Sequence, residues 1–380
     1  MRTFSKALWC FVVACLVWTA AAARAVEERP YQEGRYEKAE LRYIDDLPVL
    51  MVAGTAAEIG HQKAALTGAV VEKLAVYPKE LLKLFGREDR WPKVVERGRS
   101  LLPQFPSDYR EELRAFAEKS GMAADVGIVA NTLADIYRGG FSCSSLLVDA
   151  QRSATGDPLF GRNLDFFTLG VLDKYSLVTV HRPQGKHAFV SIGFPGLFGC
   201  LSGMNDAGLA LAVHEVYLAR DHSPMFNPKG VPYTFCFRRM LEECTTVEEA
   251  EQLLRRCERT TRLNLALCDR QGGVVLEITP LTVSRRRGED GICACTNHFR
   301  TRDLAVLPWC PRYNTLMQSS SLATLNVAEL FEKLHEVNLG RLTVQTMIFE
   351  PAPLVLHLAI GRCPSSAQPL RRLDLAPLLK

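Results

Sequence analysis

The feature that most limits how this chain folds is an abrupt change of texture at Gly139-Gly140. Downstream, short apolar or alternating runs recur at 144–149, 159–166, 177–181, 188–194, 209–216, 263–268, 274–279, 292–296 and 354–360. Turn signals separate them, among them Thr155-Gly156-Asp157-Pro158, Pro183-Gln184-Gly185, Asn205-Asp206-Ala207-Gly208 and Gln271-Gly272-Gly273. Such dense hairpin spacing predicts antiparallel sheet rather than alternating parallel βα units. Helical spacing interrupts the strands at 233–243, 247–256 and 327–335. Upstream of the glycine pair the chain reads as helical. Residues 56–84 are rich in Ala, Leu, Glu and Lys, with Gly60, Gly68 and Pro78 as interior breakers. Leu113, Phe116 and Ala117 give 109–120 a helical face that stops at Gly121, and Asp125 is placed to cap a helix running to Ile136. Strands and helices in separate blocks indicate an α+β layered fold.

Lysine and arginine number 46 against 42 acidic residues, a net charge of +4. That balance excludes a strongly basic nucleic-acid binder. The extreme N-terminus reads as an export signal: Arg2 and Lys6, an apolar stretch over 7–23, then small residues ending at Ala25. Cleavage there leaves an exported chain with a charge of +1, since Arg2, Lys6 and Arg24 depart. No other run is long and apolar enough for stable insertion into a bilayer. Of 12 cysteines, ten lie beyond the signal, and an exported chain is able to pair some of them. No C-x-x-C or H-E-x-x-H motif is present, and Cys293 and Cys295 are expected to point opposite ways in one strand, so no metal is expected.

Cys143 opens a strand directly behind Gly139-Gly140-Phe141-Ser142. Alone, that is equally the position of an ordinary buried cysteine. The next predicted strand carries Arg162 and Asp165, which are expected to flank the thiol if a bulge brings them together, or else to form a structural ion pair. Serine-hydrolase, papain-like and phosphate-loop readings fail on context. Ser144 and Ser145 lack a nucleophile elbow, Cys143 does not open a helix, and no Gly-Lys-Ser/Thr follows Gly203.

Taken in order, Cys143-Ser144-Ser145, Gly161-Arg162-Asn163-Leu164-Asp165, Gly203-Met204-Asn205-Asp206-Ala207-Gly208 and Thr296-Asn297-His298-Phe299 resemble the N-terminal-nucleophile hydrolases. The branch containing isopenicillin N acyltransferase is the nearest in pattern; it is related to bile-salt hydrolases and acid-ceramidase-like amidases. The lead-in Phe105-Pro106 with Glu111-Glu112-Leu113, and the tail Gln345-Thr346-Met347-Ile348-Phe349-Glu350-Pro351, extend the resemblance over most of the chain. Ser144 stands where the family often has threonine.

The resemblance implies a four-layer αββα sandwich of two antiparallel sheets flanked by helices, with a helical N-terminal segment. It implies three regions: a signal peptide over 1–25, a helical segment over 26–142, and a catalytic domain over 143–380. It further implies self-cleavage between Ser142 and Cys143, after which the two chains stay together as an αβ heterodimer. Cys143 then carries nucleophile and base, because an α-amine titrates near neutrality, at roughly 7.7–8.0. Arg162 and Asp165 flank it, Asn205 and Asn297 are the oxyanion donors, and Arg162 and Arg312 are the substrate-binding arginines. The implied reaction needs no cofactor and cleaves a linear amide of an N-acyl amine or N-acyl amino acid, with acyl transfer as a second outcome. A non-catalytic binding protein on the same scaffold and a lipid-directed esterase are the alternatives.

Overall fold

A computed structural model describes residues 29–136, 141–306 and 309–380. The export signal expected over 1–25 and the Gly139-Gly140 break lie outside them. The described chain opens with a three-stranded meander: β1 (Gly34–Tyr36), β2 (Ala39–Ile44) and β3 (Leu47–Gly54). Five helices follow: α1 (Ala56–Leu74), α2 (Tyr77–Leu84), α3 (Trp91–Leu101), α4 (Ser107–Ser120) and α5 (Ala124–Ile136). Next come β4 (Phe141–Val148), β5 (Leu159–Phe166), β6 (Leu177–Pro183), β7 (Phe189–Gly193), β8 (Ser202–Asn205) and β9 (Ala210–Glu215). Helices α6 (Tyr233–Glu243) and α7 (Val247–Arg256) lead to β10 (Leu263–Asp269), β11 (Gly272–Ile278), β12 (Val283–Arg286) and β13 (Ile292–Cys295). The chain ends with α8 (Pro311–Met317), α9 (Val327–Glu336), β14 (Thr343–Glu350), β15 (Val355–Ala359) and β16 (Arg371–Asp374).

The strands form two sheets. One has ten strands in the order β1-β2-β3-β6-β7-β8-β9-β10-β11-β12, and the other has six in the order β13-β4-β5-β14-β15-β16. Their inner faces interdigitate: Val49, Val180, Met204 and Ala266 of the larger sheet meet Leu147, Phe160, Met347 and Phe349 of the smaller. Helices α6 and α7 cover the outer face of the larger sheet through Phe237, Leu241 and Leu253. Helices α1 and α2 extend that cover over Leu50 and Val52. Helices α8 and α9 cover the outer face of the smaller sheet, with Leu316, Leu330 and Leu334 on Leu146, Leu159 and Ile348. This is the expected αββα sandwich.

Local chemistry explains the helix limits. Thr55 and Glu58 close a capping box on α1, and Asn326 and Glu329 do the same on α9. Gly60 does not break α1. A side chain there would sit 2.3 Å from the Glu112 carbonyl oxygen, so its absence lets α1 and α4 abut. The 56–84 run does break, at Ala75-Val76, where Pro78 starts a separate helix.

Two features depart from expectation. The N-terminal segment holds strands as well as helices, and β3 joins the larger sheet by pairing parallel to β6, the one parallel pair among the described ladders. Cys293 and Cys295 face the same inter-sheet core, because side chains two residues apart in a strand share a face.

Candidate active site

Cys143 is the third residue of β4 and is fully buried. The β4–β5 register is unbroken, with Cys143 opposite Leu164 and Ser145 opposite Arg162. The bulge expected there is absent from it. Arg162 therefore shares the inward face with Cys143, while Asp165 lies on the opposite face, toward α8. The irregularity falls on the other flank of β5, between Thr343 and Gln345 of β14, and sets Thr343 beside Asp165.

Each polar atom of Cys143 has a partner. Its backbone N–H donates to Asn297 Oδ1 at 2.9 Å, and its carbonyl accepts from Arg312 Nη1 at 3.0 Å. Its sulfur lies 3.6 Å from Arg162 Nη2. Arg312, the second residue of α8, ties the group together. Nη2 donates to Asn297 Oδ1 at 2.9 Å and Nη1 lies 3.3 Å from Asp165 Oδ2. Thr343 Oγ1 donates to Asp165 Oδ1 at 2.6 Å, and Asn297 Nδ2 donates to the Glu215 carbonyl at 2.9 Å.

Five of the expected residues thus converge: Cys143, Arg162, Asp165, Asn297 and Arg312. Asn205 does not join them. Its amide donates to the Leu241 and Cys244 carbonyls, and its oxygen accepts from the Ala207 and Leu209 amides. It is a turn residue that fixes the β8–β9 reversal, where Gly208 takes a φ of +90°. With both donors committed, it has nothing to offer an oxyanion. Arg162 is also placed differently from expectation. It is fully buried and donates Nη1 to the Val213 carbonyl at 2.6 Å, so it addresses the sulfur rather than a substrate carboxylate. Thr343 and the Glu215 carbonyl were not foreseen. Thr343 lies 178 residues from Asp165, and no local motif links the two.

The charge balance favours a thiol over a thiolate. Burial pushes the Cys143 pKa up; Arg162 pulls it down, Asp165 pushes it up again, and a backbone hydrogen bond from Asp165 and the charge of Arg312 pull down without cancelling burial. Burial also raises Asp165, to about 6, against the hydrogen bond from Thr343 and the charges of Arg312 and Arg162. The imidazole of His298 serves a different thiol: its hydrogen bond helps draw Cys310 down to about 6, against burial.

Because Asp165 is raised, between pH about 4 and 6 the folded chain holds a proton that the unfolded chain has released. Its contribution to stability therefore falls as pH rises through that window, by about 3 kcal/mol for about two pH units. Asp165→Asn should remove that slope. Denaturant titrations of a Cys143→Ala chain, with and without Asp165→Asn, compared between pH 4 and 7, check it.

An apolar cavity of about 130 Å³ lies at the same end of the smaller sheet, lined by Tyr77, Leu81, Leu133, Ala134, Phe166 and Phe194 among others. Phe166 shares the Cys143 face and lies two residues beyond Leu164, roughly 7 Å along the strand.

Residues 152–339 match the protein family described as acyl-coenzyme A:6-aminopenicillanic acid acyl-transferase. An acid ceramidase from Rattus norvegicus is 25% identical over 239 residues, which cover 58% of this chain and 59% of the ceramidase. An uncharacterized protein from Archaeoglobus fulgidus is 25% identical over 281 residues, covering 64% of this chain and 46% of its own. The chain thus spans about half the length of the curated relatives it matches. Among solved structures, a Caenorhabditis elegans ortholog of N-acylethanolamine-hydrolyzing acid amidase aligns at a TM-score of 0.44 and 17% identity. That alignment covers 55% of this chain and 93% of the other.

Proposed function

We propose that this chain is a self-processed cysteine amidase of the N-terminal-nucleophile hydrolase type, acting on N-acyl amines, a reading that the match of residues 152–339 to the acyl-transferase family supports. The observation that carries this reading is the address given to each polar atom of Cys143. Nitrogen faces Asn297, carbonyl faces Arg312 and sulfur faces Arg162. A buried structural cysteine also needs backbone partners, but here polar side chains supply them, as suits a residue that must act through both thiol and amine.

In the first stage Cys143 Sγ attacks the Ser142 carbonyl carbon. The peptide C–N bond breaks, its nitrogen takes a proton, and a thioester joins Ser142 to Cys143. Water hydrolyses the thioester, leaving a Ser142 carboxylate and a free Cys143 α-amine. In the second stage the α-amine accepts the thiol proton, which burial otherwise keeps on sulfur. The thiolate, beside Arg162, attacks the substrate amide. Asn297 fixes the amine through Oδ1, and its amide hydrogen not given to Glu215 is its donor to the tetrahedral oxygen. The leaving amine takes the proton back, and water releases the acid.

The two chains stay joined after the cut through the β3–β6 ladder and a buried charge cluster. Lys63 and Glu112 of the N-terminal segment pair at 2.6 Å, and Glu112 meets Arg238 of α6 at 2.6 Å. Tyr109 donates to Glu242 at 2.7 Å.

The apolar cavity beside Phe166 suits the hydrocarbon of the acyl group. A panel of N-acyl amines of increasing chain length tests this. Specificity should rise about four-fold per methylene, from ~0.8 kcal/mol each, until the cavity is full. Ala134→Leu, which fills part of the cavity, should cost longer chains roughly ten-fold relative to short ones. Folded, cut protein that turns over no N-acyl amine would refute the proposal.

A further inference from the structure

A second pair of reactive groups lies apart from the candidate active site, on the helices over the larger sheet. Cys236 sits in the first turns of α6 and Cys257 is the residue that ends α7. The backbone brings them side by side. Val231, just before α6, donates its N–H to the Glu258 carbonyl at 3.0 Å, and Val231 pairs with Arg259 in an isolated parallel bridge. Cys236 belongs to an apolar cluster against which Cys257 packs, and each thiol shifts the pKa of the other. The buried thiols Cys200, Cys268, Cys293 and Cys295 are raised by burial. Cys257 behaves differently: its interaction with Cys236, with Arg239 and Arg259, holds its thiol down against burial and Glu243, while the same interaction, with burial, pushes Cys236 up.

We propose that Cys236 and Cys257 are a disulfide-forming pair, closed by thiol–disulfide exchange with a small-molecule disulfide such as oxidised glutathione. The partly buried Cys257 thiolate attacks one sulfur of that disulfide and displaces a thiolate. Cys236 then loses its proton and attacks Cys257 Sγ, displacing the second thiolate. Two protein thiols lose two electrons, and the small disulfide becomes two thiols. The link staples the end of α7 to the start of α6, the helix that presents Arg238 and Glu242 to Glu112, Lys63 and Tyr109. Oxidation thereby reinforces the junction between the N-terminal segment and the rest of the chain.

The test uses full-length protein, reduced and then equilibrated with oxidised glutathione, alkylated with iodoacetamide and digested without reductant. The expected result is a peptide linking Cys236 to Cys257, with a thermal midpoint several degrees above that of the reduced protein. Cys236→Ser and Cys257→Ser should each abolish the linked peptide and the reductant dependence of the midpoint. The wild-type digest decides the matter by itself should either variant fold poorly. Iodoacetamide labelling of both cysteines to the same extent before and after oxidation would overturn the proposal, as would glutathione held on Cys257 without resolution by Cys236.

Discussion

Cys143→Ala should yield one uncut chain with no measurable amide turnover. Removing the sulfur takes away the attacking atom of both stages, so processing and catalysis fail together. Losses of this kind reach about 10⁶-fold when a nucleophile is deleted. The variant should still fold, because the space lost is small and Asn297 and Arg312 hold backbone atoms of residue 143 rather than its side chain. Denaturing electrophoresis, with turnover assayed on the same sample, separates this outcome from misfolding. Loss of turnover in a chain that is still cut at Ser142–Cys143 would assign the cut to another agent.

Arg238→Met should destabilise the protein by about 3–5 kcal/mol. Arg238 is buried and meets Glu112 at 2.6 Å and Glu242 at 2.7 Å, both fully buried carboxylates. Removing it leaves Lys63 alone near Glu112, and Lys186 and the Tyr109 hydroxyl near Glu242. The burden falls on the contact between α4 and α6, which lie on either side of the proposed Ser142–Cys143 cut. In processed protein the variant should therefore shed its N-terminal chain at lower denaturant than wild type. Size-exclusion chromatography across a urea series reads this directly. Elution of both chains together up to the wild-type urea concentration would show that the β3–β6 ladder alone holds them.

Much of the sandwich was legible because its helices carry one apolar face each. Helices α6 and α7 span the residues their spacing predicts, and β5 does too. The strands that escaped notice have a physical reason. In β1 and β2, Arg35, Glu40 and Arg42 alternate with apolar residues at an edge, and charged edge positions weaken the strand signal. β8 is four residues long and merges with the turn that Asn205 fixes. At the site, strand alternation sets Arg162 and Leu164 on one face and Asp165 on the other, but it carries no information on what packs against either. Arg312 reaches Asp165 from α8, a helix that seven residues after Cys310 are too few to announce. Asn205 and Asn297 have the same side chain, yet one is consumed by its own turn and the other meets Cys143. Only the tertiary fold distinguishes them.

The central claim is that Cys143 becomes an N-terminus. Intact mass of purified protein, followed by N-terminal sequencing of each chain, tests it most directly. The account predicts two co-purifying chains, the larger of 238 residues running from Cys143 to Lys380. A single unbroken chain across Ser142–Cys143 in protein that turns over amides would contradict it.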